Sequence, residues 1–575
     1  MEYVQILKEL KEIKGERVSK GVQRILSKEE KLRPGFSYTW VNTSVPRNAK
    51  KLLEYKVDDT TIRLYKMSDS TEDLYHVLPP EYDMDNSSAE LVYMVKRSLS
   101  EHYPSGMDLT RSEQVGEYVS SKGKEMLHRM AKRMDYRLGE DRNQEISKLD
   151  TLSRLLRKYT AGYGIMETFL NDPHVEDIYV DAPSDSNYVY LELGDVPGIR
   201  EKCRTNVQFS QRDMESILSS FRSESGKPFS EAFPILETDL QEYDTRVTVI
   251  GTPLSPDGTA FALRRRNKEP WTLPRLITVG SLTPLAAGLL SFLIDGRSTV
   301  LVAGSRGAGK TTLLGALMME FPKSQRVLTI EDTQELPGRE MQKIDYNVQC
   351  MTVGSLLEEG GLTADDALRV SLRLGESSIV LGEVRGQEAR TLYEAMRAGT
   401  AGSAVMGTIH GNSPDAVYER VVHDMGISKE SFGATDIIVI AGIIRPGGMQ
   451  KRKRQVTHIS EYNQGDFFDL MACEDGTLLD ATDTFKRTSE KIGSIARSWG
   501  ISYEAAIENI NLRAFIRQKM VETSEKKGLE LLKPQWVAEA NDMFWNLVEA
   551  HHGTGSYQGV KDDWLRWYQE RVRYV

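Results

Sequence analysis

The fold is decided by the stretch Val302-Ala-Gly-Ser-Arg-Gly-Ala-Gly-Lys-Thr-Thr312, which follows the apolar run Thr299-Val-Leu-Val-Ala303. The glycines of such a loop let successive backbone N–H groups turn toward one phosphate, and the helix that begins after the loop points its N-terminus at the same anion. In the pattern Gly304-x4-Gly309-Lys310-Thr311, the lysine reaches the β- and γ-phosphates and the threonine hydroxyl ligates Mg²⁺. A glycine-rich turn that binds nothing would leave the lysine unexplained. The sequence therefore predicts a P-loop that binds ATP and Mg²⁺ through Gly304, Ser305, Arg306, Gly307, Ala308, Gly309, Lys310, Thr311 and Thr312.

Length and composition limit the class of protein. At 575 residues the chain is too long for one ordinary core, and its length suggests roughly three or four domains. The net charge of −10 gives no general attraction to nucleic acid or to anionic lipid. Its 3 cysteines, far apart in sequence, exclude a disulfide framework and a zinc site with four cysteine ligands.

The hydropathy pattern predicts a cytoplasmic protein. No segment approaches about 18 consecutive apolar residues, and the longest hydrophobic stretch, Ile437 to Ile444, is typical of a buried strand. The first residues, from Met1 to Glu12, have the pattern of an amphipathic helix rather than of a signal peptide. We expect any contact with the inner face of a membrane to be made through a partner.

The patterns along the chain predict an α/β protein with added α+β and helical parts. Alternation of strand and helix in the middle of the chain is typical of a RecA-like P-loop domain with a parallel sheet. The predicted parts are a helical and small α+β module over 1–100, an α+β (PAS-like) domain over 101–266, a linker over 267–279, the P-loop domain over 280–460 and a mostly helical region over 461–575.

Two further strand patterns end in acids. The run Arg326-Val-Leu-Thr-Ile-Glu-Asp-Thr-Gln-Glu-Leu336 offers Glu331, Asp332 and Glu335 at a strand end, although a solvated strand end is the simpler interpretation for this motif alone. In an open parallel sheet such ends face the ligand crevice, where acids hold Mg²⁺ or orient water. The run Ser377-Ser-Ile-Val-Leu-Gly-Glu-Val-Arg-Gly386 has the Walker B form, with Glu383 predicted to lie in the outer shell of Mg²⁺.

A third strand pattern, within Thr400 to Pro414, ends in His410. A lone histidine is more often structural than catalytic. At another strand end of the same sheet, however, His410 is placed to sense the γ-phosphate.

These motifs, in this order and spacing, resemble the secretion ATPase family, which drives type II secretion, type IV pili, archaella and type IV secretion systems. Its members share a P-loop, an Asp box (here Thr329 to Glu335), a Walker B motif with Gly-Glu-x-Arg (Gly382 to Arg385) and a His box (Gly407 to Gly411). The resemblance covers about 80–450. Four segments upstream of the P-loop also resemble the family: Leu78-Pro-Pro-Glu-Tyr82, Asn171-Asp-Pro-His-Val-Glu-Asp-Ile178, Asp244-Thr-Arg-Val-Thr248 and Phe261-Ala-Leu-Arg-Arg265. The first two of these segments look most like the archaeal branch.

The resemblance implies roles for single residues. Glu335 is expected to be the general base that positions water, and Glu331 to support the site. Arg246 and Arg264, on strands that resemble the family's arginine-bearing strands, are expected to close on the γ-phosphate once the linker folds back. An open P-loop site needs such positive charge during transfer.

The resemblance also implies an assembly. We expect a homo-hexameric ring whose N-terminal domains rotate against the motor domains and push a polytopic membrane platform protein of a secretion or pilus machine. Two departures point away from the bacterial type II branch: Ser403 stands where many relatives have a second histidine, and the chain has too few cysteines for a four-cysteine zinc module.

Three other functions fit less well. A nucleic-acid translocase of the P-loop ring class is the main alternative, but the net charge disfavours it, and the basic run Lys451-Arg-Lys-Arg454 is more typical of a solvated edge. A GTPase switch lacks its guanine motif, because Asn267-Lys268-Glu269-Pro270 precedes the P-loop. A structural subunit with a relic P-loop is disfavoured by the intact Lys310, Glu335 and Glu383.

Overall fold

The computed structural model divides the chain into two compact units, Met1–Asn267 and Lys268–Val575. Each is described here by itself. The structure describes residues 31–101, 112–194, 196–265, 269–354, 362–375, 377–386, 388–397, 404–448, 452–473, 479–551 and 557–573. The predicted N-terminal helix, Ser403 and Lys451 lie outside the described residues.

The first unit is built on one large mixed sheet. Its strand order is β10-β11-β12-β6-β7-β8-β5-β4-β3, antiparallel except where β5 runs parallel to β8. A smaller sheet has the order β1-β2-β9. The strands are β1 (Lys31–Leu32), β2 (Trp40–Asn42), β3 (Ala49–Val57), β4 (Thr60–Met67), β5 (Asp73–Leu78), β6 (Val175–Val180), β7 (Tyr190–Leu193), β8 (Lys202–Thr205), β9 (Val207–Gln208), β10 (Ile235–Leu240), β11 (Thr245–Ile250) and β12 (Ala260–Arg265).

Helices of the first unit lie between these strands in sequence. They are α1 (Asn86–Glu101), α2 (Ser112–Arg133), α3 (Arg142–Thr160), α4 (Met166–Asn171) and α5 (Gln211–Ser225). α1, α2 and α3 pack around a shared apolar core that includes Leu91, Val119 and Leu152. Asp172, just after α4, is fully buried, and its carboxylate accepts hydrogen bonds from the hydroxyls of Tyr55 (2.6 Å) and Tyr75 (2.7 Å). The predicted boundary at residue 100 therefore does not separate two folds, because strands from both sides of it share one sheet.

The second unit contains the predicted parallel sheet. Its order is β15-β14-β16-β17-β13-β18-β19-β20-β21, parallel from β15 to β18 and antiparallel from there on. The P-loop strand β13 lies between β17 and β18. Strands β13, β14, β16 and β17 are buried along their whole length, as expected when helices cover both faces, whereas the edge strand β15 is partly exposed. The strands are β13 (Val300–Gly304), β14 (Val327–Glu331), β15 (Val348–Thr352), β16 (Ser378–Leu381), β17 (Val405–Ile409), β18 (Ile437–Ile444), β19 (Lys453–Asn463), β20 (Asp466–Ala472) and β21 (Asp480–Ala481).

Helices of the second unit cover this sheet and fill the end of the chain. They are α6 (Leu273–Thr278), α7 (Pro284–Asp295), α8 (Lys310–Met318), α9 (Gly338–Gln342), α10 (Ala364–Ser371), α11 (Glu388–Arg397), α12 (Pro414–Glu419), α13 (Lys429–Phe432), α14 (Glu490–Trp499), α15 (Tyr503–Lys527), α16 (Pro534–Ala550) and α17 (Tyr557–Val572).

The C-terminal helices belong to the core of the second unit. α7 is apolar on nearly all sides, and α15 packs closely against it: a Cβ added at Gly288 would lie 2.5 Å from the carbonyl oxygen of Ile510. Ile510, Ile492 and Ala538 share one cluster with the core of the parallel sheet. The C-terminal region is therefore part of the P-loop unit rather than an appendage.

The α/β fold with a parallel P-loop sheet and a helical end is confirmed, but two predicted boundaries move. The linker predicted over 267–279 contains α6, because the Thr272 side chain caps that helix and Pro274 fits its first turn. The helical region begins near Glu490 rather than at 461, because β19 to β21 extend the sheet. No helix within the described ranges is long and apolar enough to cross a membrane.

Candidate nucleotide site

The P-loop joins β13 to α8, and its glycines are required by geometry. Gly309 is the N-cap of α8 with φ of 87°, a conformation that favours glycine. A Cβ added at Gly304 would lie 2.3 Å from the carbonyl oxygen of Ala441 on β18, so only glycine fits there. The Lys310 side chain is 9% exposed and donates to the Ser305 carbonyl at 3.1 Å. The loop is thus shaped for an anion, with the lysine folded back along it.

Glu331 and Glu335 have different environments at the end of β14. Glu331 is 4% exposed, and its Oε1 accepts the backbone N–H groups of Glu335 and Leu336, both at 2.8 Å. This carboxylate fixes the loop that follows the strand. Glu335 itself is exposed. The sequence assigned Glu331 a supporting role and Glu335 the role of base, and the geometry is compatible with both; the role of Glu335 stays a prediction.

The end of β16 carries Glu383 into a cluster of charges. Nε2 of His410, at the end of β17, lies 2.9 Å from Oε1 of Glu383. Arg385 donates through Nε to Oε2 of Glu383 at 2.7 Å and through a terminal nitrogen to Asp332 at 3.2 Å. Glu383 and His410 lie together because β16 and β17 pair as neighbouring strands. The Thr408 hydroxyl strengthens this pairing by donating to the Gly382 carbonyl at 2.6 Å. Three predicted strand ends therefore converge at one edge of the sheet.

The surroundings of His410 favour the neutral form of its imidazole. Partial burial, followed by the positive charge of Lys310, lowers the pKa of His410 below its ordinary value, and the negative charge of Glu383 opposes that shift only in part. A neutral imidazole with its proton on Nε2 can donate to the Glu383 carboxylate.

The residues present fit a nucleotide-bound Mg²⁺. Among the described residues, no group of three or more His, Cys, Asp or Glu side chains could hold a metal ion by itself. Mg²⁺ at nucleotide sites is usually held by few protein ligands together with phosphates and water. Thr311 at the start of α8 supplies the hydroxyl, and Oε1 of Glu383 is buried, with Nε2 of His410 at 2.9 Å and no further hydrogen-bond partner among the described residues. That oxygen is suited to a metal-bound water.

Arg246 and Arg264 lie in the first unit, on β11 and β12. They are direct cross-strand partners, and Arg264 is in turn opposite Asp177 on β6. Arg246 lies 3.3 Å from Glu237 and Arg264 lies 4.0 Å from Asp177. The neighbouring Arg265 donates to the Asp172 carbonyl instead. Alternation along the strand thus puts Arg246 and Arg264 on one face, and their action on a nucleotide stays a prediction.

One residue at the P-loop has a contact that the sequence did not indicate. Arg454, in the basic run interpreted as a solvated edge, lies on β19 and donates through Nε to the carbonyl oxygen of Gly307 at 3.0 Å. β19 follows the P-loop by 147 residues, so no local pattern links the two. Only the reversal of the chain between β18 and β19 brings the arginine to the loop.

Comparison with known proteins places this site in a family. The family model described as "Type II/IV secretion system protein" matches residues 230–482. A putative conjugal transfer protein of Mycobacterium tuberculosis is 30% identical over 274 residues, which are 47% of this chain and 74% of the relative. An uncharacterised protein of Methanocaldococcus jannaschii is 25% identical over 66% of this chain, and the match spans only 50% of that relative.

Solved structures include the VirB11 ATPase from the Brucella suis type IV secretion system, with 22% identity over 52% of this chain and 92% of that chain, at a TM-score of 0.25. The Legionella pneumophila ATPase DotB has 16% identity over 69% of this chain and 94% of that chain, at a TM-score of 0.38. These low TM-scores add nothing to the fold described above. The matched residues include the P-loop, both acidic strand ends and His410, and the chain therefore belongs to the type II/IV secretion system protein family, a family of ATPases.

Proposed function

We propose that this chain hydrolyses Mg-ATP and, as a hexameric ring, powers protein secretion or the assembly of a type IV pilus-like or archaellum-like filament through a polytopic membrane platform protein. The observation that carries the hydrolysis is the convergence of the P-loop with Glu383 and His410 at neighbouring strand ends. A phosphate cradle, an acid and an imidazole thus lie at one edge of the sheet.

Each residue has a part in the proposed reaction. Lys310 leaves the Ser305 carbonyl to bind the β- and γ-phosphates as a point charge. Thr311 would hold Mg²⁺, and Glu383 would bind a water molecule coordinated to the ion. When bound, the ion would neutralise negative charge on the phosphates. Glu335, exposed on a loop that Glu331 fixes, accepts the proton of the attacking water.

His410 connects the γ-phosphate to Glu383. Its Nε2–H can donate a hydrogen bond to one acceptor at a time, either the Glu383 carboxylate or a phosphate oxygen. Loss of the γ-phosphate would return that hydrogen bond to Glu383. This change of hydrogen-bond partner would link the loss of the γ-phosphate to the strand ends that carry Glu383 and His410.

The assignment to a secretion or filament machine rests on relatives. They include the competence protein ComGA of Streptococcus pneumoniae, 33% identical over 147 residues, and a homologue of the type IV secretion system protein PtlH in Bordetella bronchiseptica, 28% identical over 212 residues. Those names describe the relatives. For this chain they support a motor of a secretion or filament machine, and its cytoplasmic location and its contact with the membrane through a partner are part of the proposal.

Hydrolysis is tested with Lys310→Ala and Glu335→Gln, measuring phosphate release and binding of a fluorescent ATP analogue. Lys310→Ala should lose nucleotide binding. Glu335→Gln should bind ATP and hydrolyse it at least ~10²-fold more slowly, the usual size for loss of a general base. Glu340→Gln, a nearby acid on α9, is the matched control and should keep wild-type turnover. Wild-type turnover by Glu335→Gln would move the base to another residue.

Assembly is tested in the same preparations by light scattering with a non-hydrolysable ATP analogue. We expect the nucleotide to shift the chain to the mass of a hexamer and the turnover per chain to rise with protein concentration. A monomer with full activity at every concentration would refute the ring.

A further inference from the structure

Arg454 reaches the P-loop from the antiparallel extension of the sheet. It is the second residue of β19, opposite Ile443 on β18. Its Nε lies 3.0 Å from the carbonyl oxygen of Gly307, and its Cδ lies 4.0 Å from the position of a Cβ added at Gly309. The side chain therefore lies along the glycines of the phosphate-binding loop.

The part of the loop that Arg454 holds is a turn closed by the bond from the Ala308 N–H to the Ser305 carbonyl at 3.3 Å. Gly307 is exposed, its φ is 77°, and an added Cβ there would meet no atom within 4 Å. No side chain packs against Gly307 at that position, so the hydrogen bond from Arg454 to its carbonyl adds to the fixing of the turn. A carbonyl turned outward to the guanidinium favours N–H groups of the loop turned inward, the orientation that a phosphate needs.

The position of Arg454 is itself built into the fold. The Ser281 hydroxyl donates to the Arg454 carbonyl at 2.8 Å, and the N–H of Val456 donates to the Ser281 carbonyl at 2.9 Å. These bonds tie the start of β19 to the segment that precedes α7. They fix the backbone from which the Arg454 side chain reaches the loop.

The guanidinium also brings charge that is not neutralised nearby. It carries five N–H donors, and only the bond to Gly307 is found for its side chain among the described residues. Its side of the loop thus keeps a positive charge and unused donors beside the phosphate cradle. A guanidinium stays charged at any physiological pH.

We propose that Arg454 is a positioning residue for the nucleotide: by holding the Gly307 carbonyl it keeps the P-loop in its phosphate-binding shape, and its charge favours the bound polyphosphate. The inference rests on the proposed function, since it concerns the same site. Its role differs from that of Glu335, which acts on the chemical step, and from that of Lys310, which binds the phosphates directly, because Arg454 holds the shape of the loop.

The experiment measures the Kd of ATP and of ADP, together with KM and kcat, for full-length wild type, Arg454→Ala, Arg454→Lys and Arg452→Ala. Arg452 is the matched control, because it is an exposed arginine two residues away without a contact to the P-loop in the described structure. Thermal unfolding without nucleotide establishes that all four proteins fold alike.

We expect Arg454→Ala to raise the Kd of both nucleotides by about 10- to 100-fold, the range for a hydrogen bond that involves a charged group, while kcat at saturation stays within about threefold. Arg454→Lys should fall between wild type and the alanine variant, because an ammonium keeps the charge but not the planar donor group. Arg452→Ala should bind as wild type does.

An unchanged Kd in Arg454→Ala would overturn the inference. An equal loss of nucleotide affinity in Arg452→Ala would also overturn it, because the effect would then come from general surface charge. A fall in kcat with unchanged Kd would also overturn it. A wild-type protein that binds no nucleotide would refute the proposed function instead, so the two failures are distinguishable.

Discussion

Replacing Arg517 with methionine tests how the C-terminal helices are joined to the P-loop unit. Arg517, on α15, forms an ion pair with Glu320, which follows the P-loop helix α8, and both side chains are almost fully buried (3% and 0% exposed). Arg517 also donates to the Ser291 hydroxyl at 2.7 Å, and Asn541 donates to the Glu320 carboxylate at 3.3 Å. Burial lowers the pKa of Arg517, and the Glu320 charge opposes that shift.

The expected cost follows from the charge that is left behind. Arg517→Met removes the partner of a carboxylate with no access to water, and breaking a buried pair in this way costs about 3–5 kcal/mol. The pair is not perfectly satisfied, because Oε1 of Glu320 and Nε of Arg517 have no hydrogen bond to described residues. The double variant Glu320→Leu/Arg517→Met should therefore recover most of the loss and lie within about 2 kcal/mol of wild type, since it buries no unpaired charge.

Urea unfolding followed by tryptophan fluorescence measures this, because five of the seven tryptophans lie beyond residue 498. Glu320→Gln completes the double-mutant cycle. The exposed pair Arg571 and Glu539 supplies the control, where Arg571→Met should cost about 1 kcal/mol or less. The reasoning fails if Arg517→Met unfolds within about 1 kcal/mol of wild type, or if the double variant loses the sum of the two single losses.

Two further predictions concern catalysis. His410→Ala should keep the Kd of ATP within about threefold and lose the coupling of hydrolysis to movement, because the imidazole contacts Glu383 rather than the P-loop; equal loss of binding and turnover, measured side by side, would mark it as a structural histidine. Arg246→Ala and Arg264→Ala should each keep ADP affinity and lose ATPase activity, by up to the ~10³–10⁵-fold of an arginine finger; normal phosphate release by both variants would contradict their role, and Arg385 would be tested next.

The parts of the site that the sequence predicted are those with a local pattern. Apolar runs that end in Glu331, in Gly382-Glu383 and in His410 are strands because short β-branched and aliphatic runs bounded by turn residues favour strands. Their convergence follows from parallel pairing, which puts all carboxyl ends at one edge. Gly304 and Gly309 were predictable because only glycine permits that backbone.

The parts that the sequence did not predict depend on distant contacts. Arg454 lies 147 residues from Gly307, and Arg517 lies 197 residues from Glu320. In sequence, Arg454 is one member of a basic run and Arg517 one charge on a long charged helix, so the usual interpretation of both is a solvated face. Tertiary packing alone selects Arg454 from the basic run, and Arg517 together with Arg513 from the helix, for contacts inside the unit.

The bond between Thr272 and Leu532 has a consequence for how the protein is made. The Thr272 side chain is fully buried and donates to the Leu532 carbonyl at 2.8 Å. At Gly288, the backbone of α15 lies in close contact with α7. During translation the P-loop strands leave the ribosome long before α15 and the turn at Leu532 are synthesised. Until then the apolar face of α7 that packs against α15 stays exposed to solvent. Chaperones bind such exposed apolar surface, so we expect one to bind the nascent chain there. A nascent chain stalled before residue 500 should therefore stay protease-sensitive in its P-loop region.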